Sequence, residues 1–289
     1  MAILEPLAAS PSLFVLVAGL LGLMVGSFLN VVIYRLPIMM ERSWRRQCAE
    51  LLGQAPSPEE VSFNLWTPRS RCRSCAHPIS AAENIPLLSY ALLRGRCAHC
   101  KAAISIQYPL VEALSGVLTA LTAWYFGFDW PTAAALLLTW ALIALAIIDY
   151  QHQLLPDSIT LPLLWLGLGL ALFGLFADLR SSVIGAMAGY LSLWSLFQLF
   201  RLLTGKEGMG YGDFKLLAML GAWQGWQNLV AIVILSSLIG SLLGLLLILL
   251  CSRDRNVPMP FGPFLATAGW LTLLWGEALN RLYLHWLGV

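Results

Sequence analysis

Apolar runs close to bilayer length recur along this sequence, and they dictate its architecture. A helix needs about 20 predominantly apolar residues to cross the hydrocarbon core. Eight runs approach that length, at roughly 12–34, 105–126, 131–149, 158–177, 181–203, 212–226, 228–250 and 261–286. Hydrophobic residues make up 59% of the 289 and charged ones only 11%, a balance that excludes an ordinary soluble domain. Lipid offers no partner to a free backbone N–H or C=O, so the spans must be helices. The expectation is an all-α integral membrane protein with about eight transmembrane helices. The sixth run is the shortest and contains glycine.

Orientation follows from Lys and Arg. Ten of the seventeen lie between the first and second runs, and five more (Arg201, Lys206, Lys215, Arg253, Arg255) fall in or beside links of the same parity. Only Arg180 and Arg281 fall on the other side. The positive-inside rule therefore puts the long link in the cytoplasm and both termini outside. The net charge of +2 is accounted for by this topology, and no nucleic-acid partner is implied. Residues 12–34 have no Lys or Arg before them and Arg35 just after, the reverse of a cleaved signal peptide, so they read as a retained first span. The expected domains are residues 1–35, a first transmembrane helix; 36–104, a cytoplasmic domain; and 105–289, a membrane domain of seven helices. Ser27 and Asn30 are expected to tie helices together. Pro37 is expected to end the first helix at the interface. Trp44–Leu52 reads as a short amphipathic helix on the headgroups, with an ordinary solvated helix as the alternative. No internal repeat is evident.

The cytoplasmic link carries Cys72-x-x-Cys75 and, after 21 residues, Cys97-x-x-Cys100. Two such knuckles converge on one tetrahedral ion, and a reducing compartment disfavours disulfides. Structural Zn²⁺ is the expectation, with redox dithiols or an iron–sulfur cluster as alternatives. Arg71, Arg73, Arg94, Arg96 and Lys101 are placed to offset the negative charge of four thiolates on one zinc. His77 and His99 read as neighbours of the site, and Cys48 and Cys251 as plain thiols.

Acids are scarce, so those beside apolar runs stand out. Glu112 lies about one turn into the second span, which suggests a polar cavity between helices; a structural partner and a catalytic duty are both open for it. Asp149 closes the third span. Asp157 follows Pro156 and precedes an apolar run, which reads as an N-cap. His152 has no metal-binding spacing around it. Asp213 follows Gly208-Met209-Gly210-Tyr211-Gly212, and the plain reading there is a glycine turn with an aspartate cap. The span count, however, brings Asp149 and Asp213 out at one membrane face. Two close carboxylates share a proton, so one can take a proton from water while the other polarises a carbonyl. That is aspartyl-protease chemistry, and no other nucleophile–base pair is visible. Lys215 points some 200° from Asp213 if that segment is helical, so it is not expected to pair with it.

These motifs resemble the type IV prepilin peptidases. The resemblance covers Gly26-Ser27-Phe28-Leu29-Asn30 through Tyr34-Arg35-Leu36-Pro37, both knuckles, Tyr108-Pro109-Leu110-Val111-Glu112, the Asp149 segment, Gly210-Tyr211-Gly212-Asp213, and Pro260-Phe261-Gly262-Pro263-Phe264. It implies a multi-pass protein of the bacterial inner membrane whose Asp149 and Asp213 cleave the basic leader from prepilins and pseudopilins, after a glycine and on the cytoplasmic side. It further implies methylation of the new N-terminal amine with S-adenosylmethionine. No dinucleotide-type glycine signature marks a site for that donor. The cytoplasmic domain near the zinc is the expected location, with Gly95 a point of close backbone approach. The competing readings are a proton-coupled transporter and a non-catalytic zinc-ribbon assembly scaffold.

Overall fold

The computed structural model describes residues 5–53, 63–251 and 259–287, and no strand occurs among them. Two compact units divide the chain, residues 1–132 and 133–289. In the first, α1 (Glu5–Ala9) precedes α2 (Pro11–Leu51), α3 (Leu88–Leu92) follows the first cysteine pair, and α4 (Gln107–Phe126) packs along α2. Helix α5 (Trp130–His152) begins at the unit boundary. The second unit continues with α6 (Asp157–Ala171), α7 (Leu179–Thr204), α8 (Tyr211–Gln224), α9 (Leu229–Cys251) and α10 (Gly262–Leu287).

Five helical stretches among the described residues are long and apolar enough to cross a membrane: α2, α4, α5, α7 and Trp226–Leu250, which includes most of α9. The other three runs form α6, α8 and α10. With 15 and 14 residues, α6 and α8 rise only about 22 and 21 Å, short of a core of about 30 Å. Leu238, Leu242, Leu245, Leu246 and Leu249 of α9 are all exposed, an apolar surface that calls for lipid rather than water.

Helix α2 differs from its expected form. It runs unbroken for 41 residues, with Pro37 inside it, so the segment from Trp44 continues the same helix. Proline removes one N–H from the ladder, but contacts fix the turns around it. Pro37 is buried, and the buried Arg35 donates to the carbonyls of Asn64 (2.8 Å) and Pro68 (2.6 Å). Along α2 and α4, small residues permit close approach: Gly22 and Gly26 lie directly against Thr119 and Ser115. Asn30 Nδ2 donates to the Tyr108 carbonyl at 3.1 Å, tying the two helices as expected.

In the second unit α8 is the core, and apart from Lys215 its residues from Phe214 to Gln224 are buried by protein. Being shielded from lipid, it has no need to match the bilayer thickness. Gly185 of α7 and Gly221 of α8 bring the two backbones into contact, where a Cβ on either would collide with the other. Trp223 Nε1 donates to the Leu163 carbonyl of α6 (2.8 Å), and Gln224 Nε2 to that of Gly269 in α10 (2.8 Å). These contacts fix α8 laterally and in register, and so fix Asp213 in its first turn.

Candidate functional site

Asp213 is the third residue of α8, and the N-cap position belongs to Gly210. The capping role open to Asp213 in the sequence is therefore not the one it takes. Its backbone N–H donates to the Gly210 carbonyl at 3.3 Å, while its side chain is buried and Oδ1 has no hydrogen-bond partner. An orphaned, buried carboxylate oxygen is costly and marks a site built for something other than stability. The turn is held by an aromatic cluster. Tyr211 and Phe214 pack at 5.4 Å between centroids, and Phe197 and Tyr190 of α7 close on Phe214 at 5.7 and 5.9 Å.

Asp149 lies in the last turn of α5, which ends where Gln153 takes a left-handed conformation (φ 54°). Its carboxylate is also buried and accepts the Gly262 N–H at 3.0 Å through Oδ2. Gly262 opens α10 within the Pro260–Phe264 stretch, so that stretch is the clamp on Asp149. The Asp149 and Asp213 carboxylates stand close enough to interact electrostatically. The structure thus brings the two acids together, each on its own helix end.

Asp157 corrects another expectation. It is the first residue of α6, with Pro156 at the N-cap, and its carboxylate pairs with Lys215 Nζ at 2.7 and 2.8 Å. A residue directed away from Asp213 on α8 is thereby joined to the start of α6. Lys215 is not paired with Asp213, as the helical geometry required. His152 is exposed at the end of α5. Among the described residues the four cysteines form the one grouping of His, Cys, Asp or Glu side chains placed to hold a metal ion.

That grouping is compact. The Sγ atoms of Cys72, Cys75, Cys97 and Cys100 lie within 4.8 Å of one another, and Cys72 and Cys100 are 3.7 Å apart. Zn–S bonds of about 2.3 Å at a tetrahedral centre put sulfurs about 3.8 Å apart, so the donor set fits zinc. The two knuckles repeat one local structure, a repeat the side chains conceal. Cys72 donates its N–H to the His77 carbonyl and accepts from Ala76; Cys97 donates to Ala102 and accepts from Lys101. Ala76 and Lys101 both take positive φ, and the bridges Arg71–Pro78 and Arg96–Ala103 close each turn. Inward-facing N–H groups, that of Cys75 above all and then that of Ser74, hold the Cys72 thiol down at about 6. His77 and His99 stack on each other at 5.0 Å beside the knuckles.

The first unit also contains a cavity of about 640 Å³ between α2, the start of α4 and the knuckles, and Glu112 lines it. Glu112 Oε2 accepts the Leu87 N–H at 2.8 Å. Gly95 has φ +67°, and a Cβ there would meet the Tyr90 hydroxyl at 2.9 Å, so it makes room for a tyrosine of the cavity wall.

Comparison with known proteins bears on the whole chain. Residues 20–126 match the family described as the Bacterial Peptidase A24 N-terminal domain, and residues 136–245 match the Type IV leader peptidase family. These matches fall on either side of the division between the two structural units. A prepilin leader peptidase/N-methyltransferase of Pseudomonas aeruginosa is 56% identical, covering 100% of this chain and 99% of that one. One of the same name from Stutzerimonas stutzeri is 57% identical over 97% of both chains. Another, from Legionella pneumophila, is 44% identical over 96% of this chain and 97% of its own. No solved structure matches. With two buried, electrostatically interacting aspartates in the second unit and full-length relatives at this identity, the chain belongs to the type IV leader peptidase family.

Proposed function

We propose that this protein is a membrane aspartyl endopeptidase that removes the basic leader from prepilins and pseudopilins, and then N-methylates the exposed residue. The observation that carries the peptidase reading is the electrostatic proximity of two buried carboxylates, one of them with an orphaned oxygen. One carboxylate takes a proton from water as the oxygen attacks the scissile carbonyl carbon, and the other, protonated, donates to the carbonyl oxygen. Collapse of the tetrahedral intermediate breaks the C–N bond, and the departing amine takes up a proton. The Gly262 N–H fixes the rotamer of Asp149, and the α7–α8 packing fixes Asp213, so geometry is set before substrate arrives.

Around this centre we place eight spans, with residues 36–104 a cytoplasmic domain on Cys72, Cys75, Cys97 and Cys100. Residues 1–35 form the first span and 105–289 the membrane domain. The site faces the cytoplasm of the bacterial inner membrane, where a basic leader remains. Zinc bound by four thiolates leaves no open coordination position, so it serves folding rather than hydrolysis. The methyl donor is S-adenosylmethionine. Incubating the purified protein with a prepilin and labelled donor tests both activities: leader release followed by label on the new N-terminus is expected. An intact leader after prolonged incubation would leave only the scaffold or transporter readings.

A further inference from the structure

Residues 64–68 of the first unit form a turn against α2, and Trp66 in the middle of it is 80% exposed. Its indole meets the ring of Phe28, itself exposed, with centroids 6.0 Å apart. Phe28 belongs to a stripe of exposed side chains four residues apart on α2, preceded by Leu16, Leu20 and Met24. All of these lie in the apolar run long enough to cross the bilayer. Arg35 is the first charge after that run, and Phe28 precedes it by two helical turns, about 10 Å. Trp66 therefore stands beside a residue well inside the span, although its own place in the sequence is in the link outside. A groove of about 300 Å³ lies between the turn and α2, lined by Met24, Phe28, Val31, Leu65, Trp66 and the exposed Arg69.

The backbone of the turn suits that depth. Lipid offers no partner to peptide groups, so a chain that enters it has to bond them internally. Asn64 Oδ1 accepts the N–H of Trp66 (2.8 Å) and that of Thr67 (2.7 Å), while the Asn64 N–H donates to the Thr67 carbonyl (2.9 Å). Pro68 has no N–H to satisfy. The buried Arg35 holds both ends of the turn through the Asn64 and Pro68 carbonyls. A single exposed aromatic needs no account, but a tryptophan that continues an apolar stripe, on a turn whose polar groups are tied up in this way, does. We propose that this turn inserts into the leaflet at the Arg35 end of α2, the cytoplasmic one in the orientation proposed above. A phospholipid acyl chain fills the groove, and Arg69 meets the phosphate. Tryptophan favours that boundary, because its ring is apolar and its N–H can stay near the headgroups. The first knuckle begins at Cys72, just beyond Pro68, so insertion moors the cysteine domain to the bilayer surface.

The test is depth measurement by spin labelling, on full-length, zinc-loaded protein in phosphatidylethanolamine–phosphatidylglycerol bilayers. Trp66→Cys carries the nitroxide in a Cys48→Ser, Cys251→Ser background, and its collisions with oxygen and with a water-soluble nickel chelate are compared. Met24→Cys, on the apolar stripe, and Gln47→Cys, on the part of α2 beyond Arg35, calibrate the two extremes. The oxygen-to-nickel ratio at residue 66 should exceed that at residue 47 by at least about tenfold, since hydrocarbon excludes a polar chelate by at least that factor. A ratio like that at residue 47 would overturn the insertion. Few collisions with either reagent would show protein covering the turn, a second copy or a substrate helix, and would overturn lipid as the occupant. If Trp66→Cys loses zinc or helicity, fluorescence with lipids brominated near the headgroups decides. The emission that Trp66→Phe removes should then be a quenched part of the total, and an unquenched difference would overturn the proposal. Depth is read from whichever leaflet holds Arg35, so a reversed orientation of the protein would leave these results unchanged.

Discussion

Gly262→Ala should cripple leader cleavage without unfolding the protein. Gly262 lies at the start of α10, outside the left-handed region, so alanine suits its backbone and is the better helix former. The added Cβ would stand 2.5 Å from Asp149 Oδ2 and 2.9 Å from its Cγ. The optimum between such atoms is near ~3.5 Å, so the carboxylate must retreat by on the order of 1 Å. That movement also stretches the 3.0 Å bond from the Gly262 N–H. A misplacement of this size at a reacting group costs about 10²-fold in rate. The assay is initial-rate cleavage of a purified prepilin, resolving kcat from KM. The loss is expected in kcat, since Asp149 acts on the scissile bond and not on the leader. Gly169→Ala is the control, because a Cβ there meets nothing within 4 Å. If Gly262→Ala cleaves within about threefold of the unaltered enzyme, the clamp on Asp149 has no catalytic role and the argument from its placement fails.

Four thiolates in zinc geometry predict about one zinc per chain by elemental analysis; Cys72→Ser or Cys97→Ser should lose it and open residues 71–101 to protease. In metal-stripped protein the Cys72 thiolate is present above about pH 6, whereas Cys100 is pushed up to about 11, so alkylation of Cys72 should rise through about pH 6 and precede that of Cys100; a midpoint near that of free cysteine would refute the N–H cradle. The Lys215–Asp157 pair is partly exposed, at 30% and 52%, so a double-mutant cycle with Lys215→Met and Asp157→Asn should give less than about 1 kcal/mol of coupling, with cleavage nearly normal in Asp157→Asn. For topology, a cysteine replacing Lys206 should react with impermeant reagent only from the cytoplasm and one replacing Asp129 only from the periplasm; the reverse would overturn the charge-based orientation.

Local chemistry made much of this molecule legible in advance. Helicity followed from the apolar runs, the clustering of four cysteines from the CxxC spacing, and attention to Asp149 and Asp213 from the scarcity of charge. Glu112 pointed to a cavity, and a cavity is there. What escaped depends on contacts distant in sequence. Pro37 does not end α2, because Asn64 and Pro68 anchor the helix through Arg35 from 29 and 33 residues away. Asp157 resembled a cap, since no local signal reveals a lysine 58 residues later. The clamp on Asp149 spans 113 residues, and Pro260–Phe264 carried no chemistry of its own to suggest it. The knuckle repeat was hidden because it lies in backbone hydrogen bonds and φ angles, with different side chains at corresponding places. Arg253 and Arg255, which entered the charge count, lie outside the described residues.

The most direct test of the central claim is single-turnover cleavage of a prepilin by Asp149→Asn and Asp213→Asn, each purified folded and zinc-loaded. Each carboxylate performs a separate part of one step, and an amide can neither accept nor supply the proton. General acid–base roles of this kind are worth about 10²–10⁴-fold each, so each variant should fall to a trace of the unaltered rate. Near-normal cleavage by either one would contradict the dyad.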